Sequence, residues 1–378
     1  MIQRRIFRSA AAAGAAVLAL LLSGTALAKE PIRLGVVGPH TGDLASYGIP
    51  SIRAARLVVD EVNARGGVLG RPVQLLVEDD ECKPEKAANI AAKLVSSDVH
   101  VVLGHVCSGA TKAALGTYRD AKVVAMSPSA TNPELTQSGD YPNFYRTIAS
   151  DDLQAKLGVD FALGTLGKTK IAVLHDKGDY GKGFADFAKK FVDESGGKGQ
   201  VVLFEGITPG AVDYSAVVQK VNQRGAEALI YGGYHPEASK LVTGMKRRRM
   251  DIAFIAADGV KDDTFINVAK EFAEGVYASG PKDTSKFPLF TKASEDHRRA
   301  HGEDPGAFFT EAYAATLALL NAIEKAGSTD YAAVEAALRN EWVETPVGRI
   351  SFDERGDAKG VGFSMYQVQS GVYAQVQE

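Results

Sequence analysis

The sequence of 378 residues predicts a two-lobed α/β protein, each lobe a mostly parallel sheet flanked by helices. Two observations carry that prediction. From residue 32 to 146, and again from 152 to 259, short apolar strands alternate with helical segments, the rhythm of a doubly wound sheet. After residue 259 the rhythm stops. The tail holds helices and alternating strands but no complete α/β unit, so it completes the two lobes rather than adding a third.

The first 28 residues stand apart from the fold. Arg4, Arg5 and Arg8 precede an apolar run over 10–22, and Ala26-Leu27-Ala28 is a small-x-small cleavage site. This is the pattern of a secretory signal peptide cleaved after Ala28, with a run too short for a membrane span. No Cys lies near the cleavage point, so no lipid anchor is expected. Cleavage leaves 350 residues, enough for two cores. It removes three Arg and no acid, taking Lys+Arg from 43 to 40 against 46 Asp+Glu, a net charge of −6. That balance argues against nucleic acid and membrane surfaces as partners.

In chain order, a strand over 32–37 ends in Gly38-Pro39, and a helix over 47–64 carries Ala54, Ala55, Leu57, Val58 and Val62 on its apolar side. Arg65-Gly66-Gly67 terminates it. A strand over 73–77 and a helix over 84–95 follow, Pro84 suiting a first helical turn. Next come a strand over 99–103, a helix over 110–118 and a strand over 123–126, with Tyr145-Arg146 closing the first half. The second half reads as helices over 152–163, 184–193, 214–223 and 238–246 between strands over 170–174, 200–204, 228–231 and 252–255. Its loops are HDKGDYGKG, GGYHPE and the turn Ala257-Asp258-Gly259. In the tail, helices are expected over 287–301, 307–325 and 331–338, and antiparallel strands within 347–376.

The stretch over 104–135, GHVCSGATKAALGTYRDAKVVAMSPSATNPEL, organises the rest. Two strands deliver Ser108 at a helix start, and Ser127, Ser129, Ala130 and Thr131, to one C-terminal sheet edge. Ligands bind at that edge in open α/β sheets, and amides at a helix start favour an anion such as a carboxylate. Ser108 and Thr131 would serve equally as plain helix N-caps.

Signals for other chemistries fail. Gly167-Lys168-Thr169 lacks the first glycine of a P-loop and joins a helix to a strand, the reverse of the required order. Gly181-Lys182-Gly183 is followed by Asp186 where a dinucleotide fingerprint needs Gly. His297 and His301 have no third ligand nearby and read as a solvated surface pair. Residues 246–249, KRRR, read as a solvated helix end. No nucleophile–base constellation stands out, so no enzyme activity, metal or cofactor is expected. An even count of two cysteines in an exported chain favours a disulfide, two buried thiols being the alternative. Closing their 25-residue interval contributes roughly 3–4 kcal/mol by loop entropy.

The chain resembles the periplasmic leucine/isoleucine/valine-binding proteins, the branched-chain amino-acid receptors of ABC importers. The likeness spans essentially the whole mature chain, on IRLGVVGPHTGDLASYG, EVNARGGVLG, DDECKPEKA, GHVCSGAT, SPSATNPEL, HDKGDYGKG, the GIT segment at 206–208, YGGYHPE, GAFFTEAYAA and FDERGDAKG. It implies a type I periplasmic binding protein: two α/β lobes, crossed three times by the chain, closing on ligand across a cleft. The resemblance implies lobes of 29–148 with 282–359, and of 149–281 with 360–378. It makes Ser108 the carboxylate contact and Thr131 a contact to carboxylate and ammonium. It places at Ser129, beside Ala130, a carbonyl facing the ammonium. Tyr47, Tyr180 and Phe308 become the aromatic wall, Tyr234 a hydroxyl from the second lobe, and Cys82 and Cys107 a disulfide. At Asp258 the family commonly has Glu to receive the ammonium; Asp is shorter by one methylene, about 1.5 Å of reach.

The expected function is a periplasmic receptor, a monomer, delivering an aliphatic L-amino acid to an inner-membrane ABC permease. The alternative is the same fold binding another amino acid, an amide, urea or an aromatic acid, or serving as a ligand-sensing module.

Overall fold

Apolar runs with few polar interruptions make strands that must be covered on both faces. The first such run, Ile32–Gly38 (β1), has every residue but Arg33 buried, and Ala228–Gly232 (β8, below) is buried throughout. The computed structural model describes residues 29–376; the signal-peptide reading lies outside them.

β1 pairs in parallel with β2 (Val73–Asp79) and β3 (Val101–Leu103), and β4 (Val124–Ser127) and β5 (Phe144–Arg146) continue the sheet. The order is β2-β1-β3-β4-β5. One face is covered by helices Ala45–Ala64, Phe309–Ala326 and Tyr331–Asn340, the other by Pro84–Ser96 and Ser108–Asp120. The second sheet comprises β6 (Lys170–His175), β7 (Gln200–Gly206), β8 (Ala228–Gly232), β9 (Ala253–Ala256) and β10 (Tyr277–Pro281). A small hairpin, β11 (Val343–Thr345) and β12 (Gly348–Ile350), stands apart. β13 (Phe363–Gln369) and β14 (Val372–Gln375) add antiparallel to β10, giving the order β14-β13-β10-β9-β8-β6-β7. The chain therefore passes between the two sheets after β5, after β10 and before β13.

Some expectations need correction. β10, sequence YASGP, and the helix Asp263–Ala269 carry too few bulky apolar residues to announce themselves. Residues 144–146, read only as a boundary, form the edge strand β5. The alternation over 347–376 does form antiparallel strands, β12 in the hairpin that starts at Val343 and β13 and β14 in the second sheet. The segment read as the loop HDKGDYGKG turns helical at Asp179, five residues before the expected start. Its glycines hid this. A Cβ on Gly181 would lie 2.4 Å from the Gly232 carbonyl oxygen, so glycine lets the first turn press on the end of β8. Finally, His297 is not solvated. It is fully buried, stacks edge-on to Phe309 at 4.9 Å and donates from Nδ1 to the Glu303 carbonyl at 3.0 Å, while His301 is exposed.

Residues 167–169 do form a helix-to-strand turn, and 246–249 an exposed helix end. Cys82 and Cys107 are joined, with Cα atoms 5.5 Å apart.

Candidate functional site

The C-terminal edges of both sheets face one small, tightly lined cavity. Tyr47, Ser108, Ser129, Tyr180, Tyr234, Asp258 and Phe308 line it, with Val106, Cys107 and Gly259. Seven of the residues singled out in the sequence therefore meet at one place. Thr131 is fully buried beside them, and its hydroxyl has no hydrogen-bond partner. Ala130 is different. Its N–H donates to the Ser127 hydroxyl at 2.9 Å and its carbonyl accepts from Arg146 at 3.2 Å, so its backbone holds the loop.

The first lobe's half of the site is two loops latched together. Ser127 donates to the His105 carbonyl at 2.6 Å and Ser129 to the Val106 carbonyl at 2.8 Å. Ser108 is the first helical residue of Ser108–Asp120, after Cys107, and makes no cap. Its hydroxyl accepts from the Asn132 N–H at 3.3 Å. The N-cap positions of the helices that follow are Cys107 and Pro133, not Ser108 and Thr131. Behind the loop a network that sequence reasoning missed holds His105: Nδ1 donates to Asp80 at 2.6 Å, and Nε2 sits 3.1 Å from the Tyr118 hydroxyl. Asp80 also accepts from the Cys82 N–H at 2.8 Å, so this network and the disulfide brace one loop. Arg146, also missed, is fully buried and donates to the carbonyls of Ala130 and Asn132, to Thr136 and to Asp357.

The second lobe supplies Asp258 and two aromatic faces, Tyr180 and Tyr234, and Phe308 joins them from the first lobe. Tyr180, in the first turn of Asp179–Asp193, donates to Asp258 and accepts from the Gly259 N–H at 2.8 Å. Burial pushes the Asp258 carboxyl up to about 6, opposed by the hydrogen bond from Tyr180. Tyr234 caps the helix His235–Arg247, with its ring 5.1 Å from Tyr180 and 5.9 Å from Tyr47. Phe308 takes a left-handed conformation, φ 61°, and its ring lies 5.9 Å from Tyr47.

The lobes touch around the cavity. Tyr47 donates to the Gly259 carbonyl at 2.6 Å, Asn132 to the Asp179 carbonyl at 2.5 Å, and Lys112 pairs with Asp179 at 3.3 Å. Tyr47 is thus more than a wall. Removing its hydroxyl by Tyr47→Phe should lower ligand affinity by about 0.5–1.5 kcal/mol, the scale of one hydrogen bond. Ligand-free stability should stay near the parent's, since the bond forms only between lobes in contact; calorimetric titration beside urea melts checks both.

Residues 31–372 match the model of the family described as periplasmic binding protein. The chain belongs to that family. It is 36% identical to the leucine-, isoleucine-, valine-, threonine- and alanine-binding protein of Pseudomonas aeruginosa, over 96% of this chain and 95% of that one. It is 34% identical to the Leu/Ile/Val-binding protein of Escherichia coli strain K12, covering 93% and 94%. Among solved structures, a leucine-binding protein from Thermotoga maritima superposes with a TM-score of 0.85 at 26% identity, over 92% of this chain and 98% of that one. A branched-chain amino-acid transporter substrate-binding protein of Streptococcus pneumoniae, in complex with isoleucine, gives 0.81 at 26%, covering 92% and 100%. A benzoate-bound solute-binding protein from R. palustris gives 0.81 at 20% identity, over 92% and 95%, and shares the fold. This member of the periplasmic binding protein family is thus of the type I architecture that its paired sheets and three crossings display. Among the described residues no helix is long and apolar enough to cross a membrane.

Proposed function

We propose that this protein is a periplasmic receptor that captures branched-chain aliphatic L-amino acids and hands them to an inner-membrane ABC permease, without chemical turnover. One observation carries the reading: a carboxylate and a helix start face each other across a single aromatic pocket. Asp258 takes the ammonium, Ser108 and the amides of its helix start take the carboxylate, and Thr131 serves both. Tyr47, Tyr180, Tyr234 and Phe308 enclose the aliphatic side chain. The lobes, 29–148 with 282–359 and 149–281 with 360–378, act as jaws closing by hinge motion, and excluding water strengthens both charge contacts. The names of the relatives from P. aeruginosa and E. coli favour the same ligand class.

A thermal-shift panel of the amino acids, with benzoate and urea alongside, tests it. Ligand at a hundredfold over Kd stabilises the folded state by about 2.7 kcal/mol. Leucine, isoleucine or valine should give the largest shift; benzoate or urea alone shifting the melt would overturn the reading. Affinity should also depend on pH. The ammonium needs an ionised Asp258, whose carboxyl sits at about 6 in the empty site. Below that pH a proton must leave first, so affinity falls by up to about tenfold per pH unit, and it levels off above it. Calorimetric titration between pH 4.5 and 8 measures this; a flat profile counts against the Asp258 assignment.

A further inference from the structure

Outside the pocket lining, Asn132 in the loop after β4 reaches across to the other lobe. It is buried and fixed on its own side. Its Oδ1 accepts from the Glu134 N–H at 2.8 Å, its backbone N–H donates to the Ser108 hydroxyl at 3.3 Å, and its carbonyl accepts from Arg146 at 3.0 Å. The Glu134 N–H needs an acceptor, so the side-chain amide has one orientation, with Nδ2 turned to the second lobe. There it donates to the Asp179 carbonyl at 2.5 Å. Two glycines make the room. A Cβ on Gly183, one turn on from Asp179, would lie 2.8 Å from Asn132 Nδ2, and one on Gly109 would lie 3.3 Å from the Asp179 carboxylate. Both glycines sit in helices, where alanine is the better helix former, so they serve clearance rather than backbone freedom. Lys112 adds an outer arm, pairing with Glu134 at 2.7 Å and with Asp179 at 3.3 Å. Solvent screens that arm, which leaves most of the hold to the buried amide.

We propose that Asn132 is a clasp between the lobes: its side-chain amide, seated against Asp179 in the space that Gly183 leaves, sets how fast the captured molecule is released. This rests on the amino-acid reading above for the ligand used to test it. Asn132 is a positioning residue, since it acts from outside the pocket lining. Its neighbours in the chain explain its leverage. Asn132 follows Thr131 and holds the Ser108 hydroxyl, while Asp179 precedes Tyr180, which donates to Asp258 and accepts from the Gly259 N–H. One hydrogen bond therefore ties together the backbones that carry the two halves of the site. A ligand enters between parted lobes, where this bond is unmade, so the clasp acts on dissociation and leaves association almost unchanged.

Release of radiolabelled L-leucine from the mature protein into excess unlabelled leucine, followed by rapid filtration, tests the clasp. Gly183→Ala puts a methyl group where Asn132 Nδ2 lies and displaces that amide, while the backbone bonds of Asn132 to Ser108 and Arg146 stay. The variant should release leucine about three- to tenfold faster than the parent, the scale of one hydrogen bond, with association changed less than about twofold. Urea melts of ligand-free Gly183→Ala should match or exceed the parent's, because alanine is the better helix former. Asn132→Ala should speed release by a similar factor, and the double variant should be no faster than the faster single, since both remove one contact. If Asn132→Ala does not fold, Gly183→Ala decides alone. Gly183→Ala releasing leucine at the parent's rate overturns the clasp and leaves the amino-acid reading standing. So do single effects that multiply in the double variant. A parent that binds none of leucine, isoleucine and valine overturns both.

Discussion

Asp258→Ala is expected to weaken amino-acid binding by roughly 2–5 kcal/mol, the cost of leaving a buried ligand charge without its partner. Asp258 is 2% exposed and held by Tyr180, so the variant loses a positioned group rather than a mobile one. Calorimetric titration reads the loss directly. Folding of the ligand-free protein should change little or improve, because a buried carboxyl raised to about 6 is no source of stability at neutral pH. Equal affinity in parent and variant would reduce Asp258 to a turn residue.

The second large effect concerns stability. Arg146 is 0% exposed, and its guanidinium donates to Asp357 at 2.5 Å, to two carbonyls of the loop over 130–132 and to Thr136. Arg146→Met keeps bulk but strands Asp357 and both carbonyls. Urea melts should show a loss of about 3–5 kcal/mol, as when one partner of a buried ion pair is removed. Adding Asp357→Asn should cost much less than its own single effect, since the two share one network. A loss under about 1 kcal/mol for Arg146→Met would mean that water replaces the guanidinium and that the loop stands without it.

Much of this was legible in the sequence, for identifiable reasons. Strands such as β1 and β8 are continuous apolar runs, and period and composition suffice to find them. Ser108, Tyr180 and Asp258 came from motifs at strand ends, where the fold collects its loops. What escaped was set by tertiary contact. The helix at Asp179 begins in glycines that read as a loop because the packing partner, β8, lies over fifty residues away. Arg146 looked like a boundary residue, yet its partner Asp357 comes from the far end of the chain. Asp151 and Gln154 are polar residues at a helix start. Only burial separates them from Asp152 and Leu153 beside them, and nothing local encodes that burial.

The account turns on one pocket reading both charged ends of a single small molecule. Calorimetric titration with L-leucine, leucinamide and 4-methylpentanoate tests this most directly, since each analogue lacks one end. Contacts to a charged group are each worth about 1.5–3 kcal/mol. Leucine should therefore bind at least about tenfold more tightly than either analogue, with the larger gap for 4-methylpentanoate. Either analogue binding as tightly as leucine would contradict the account.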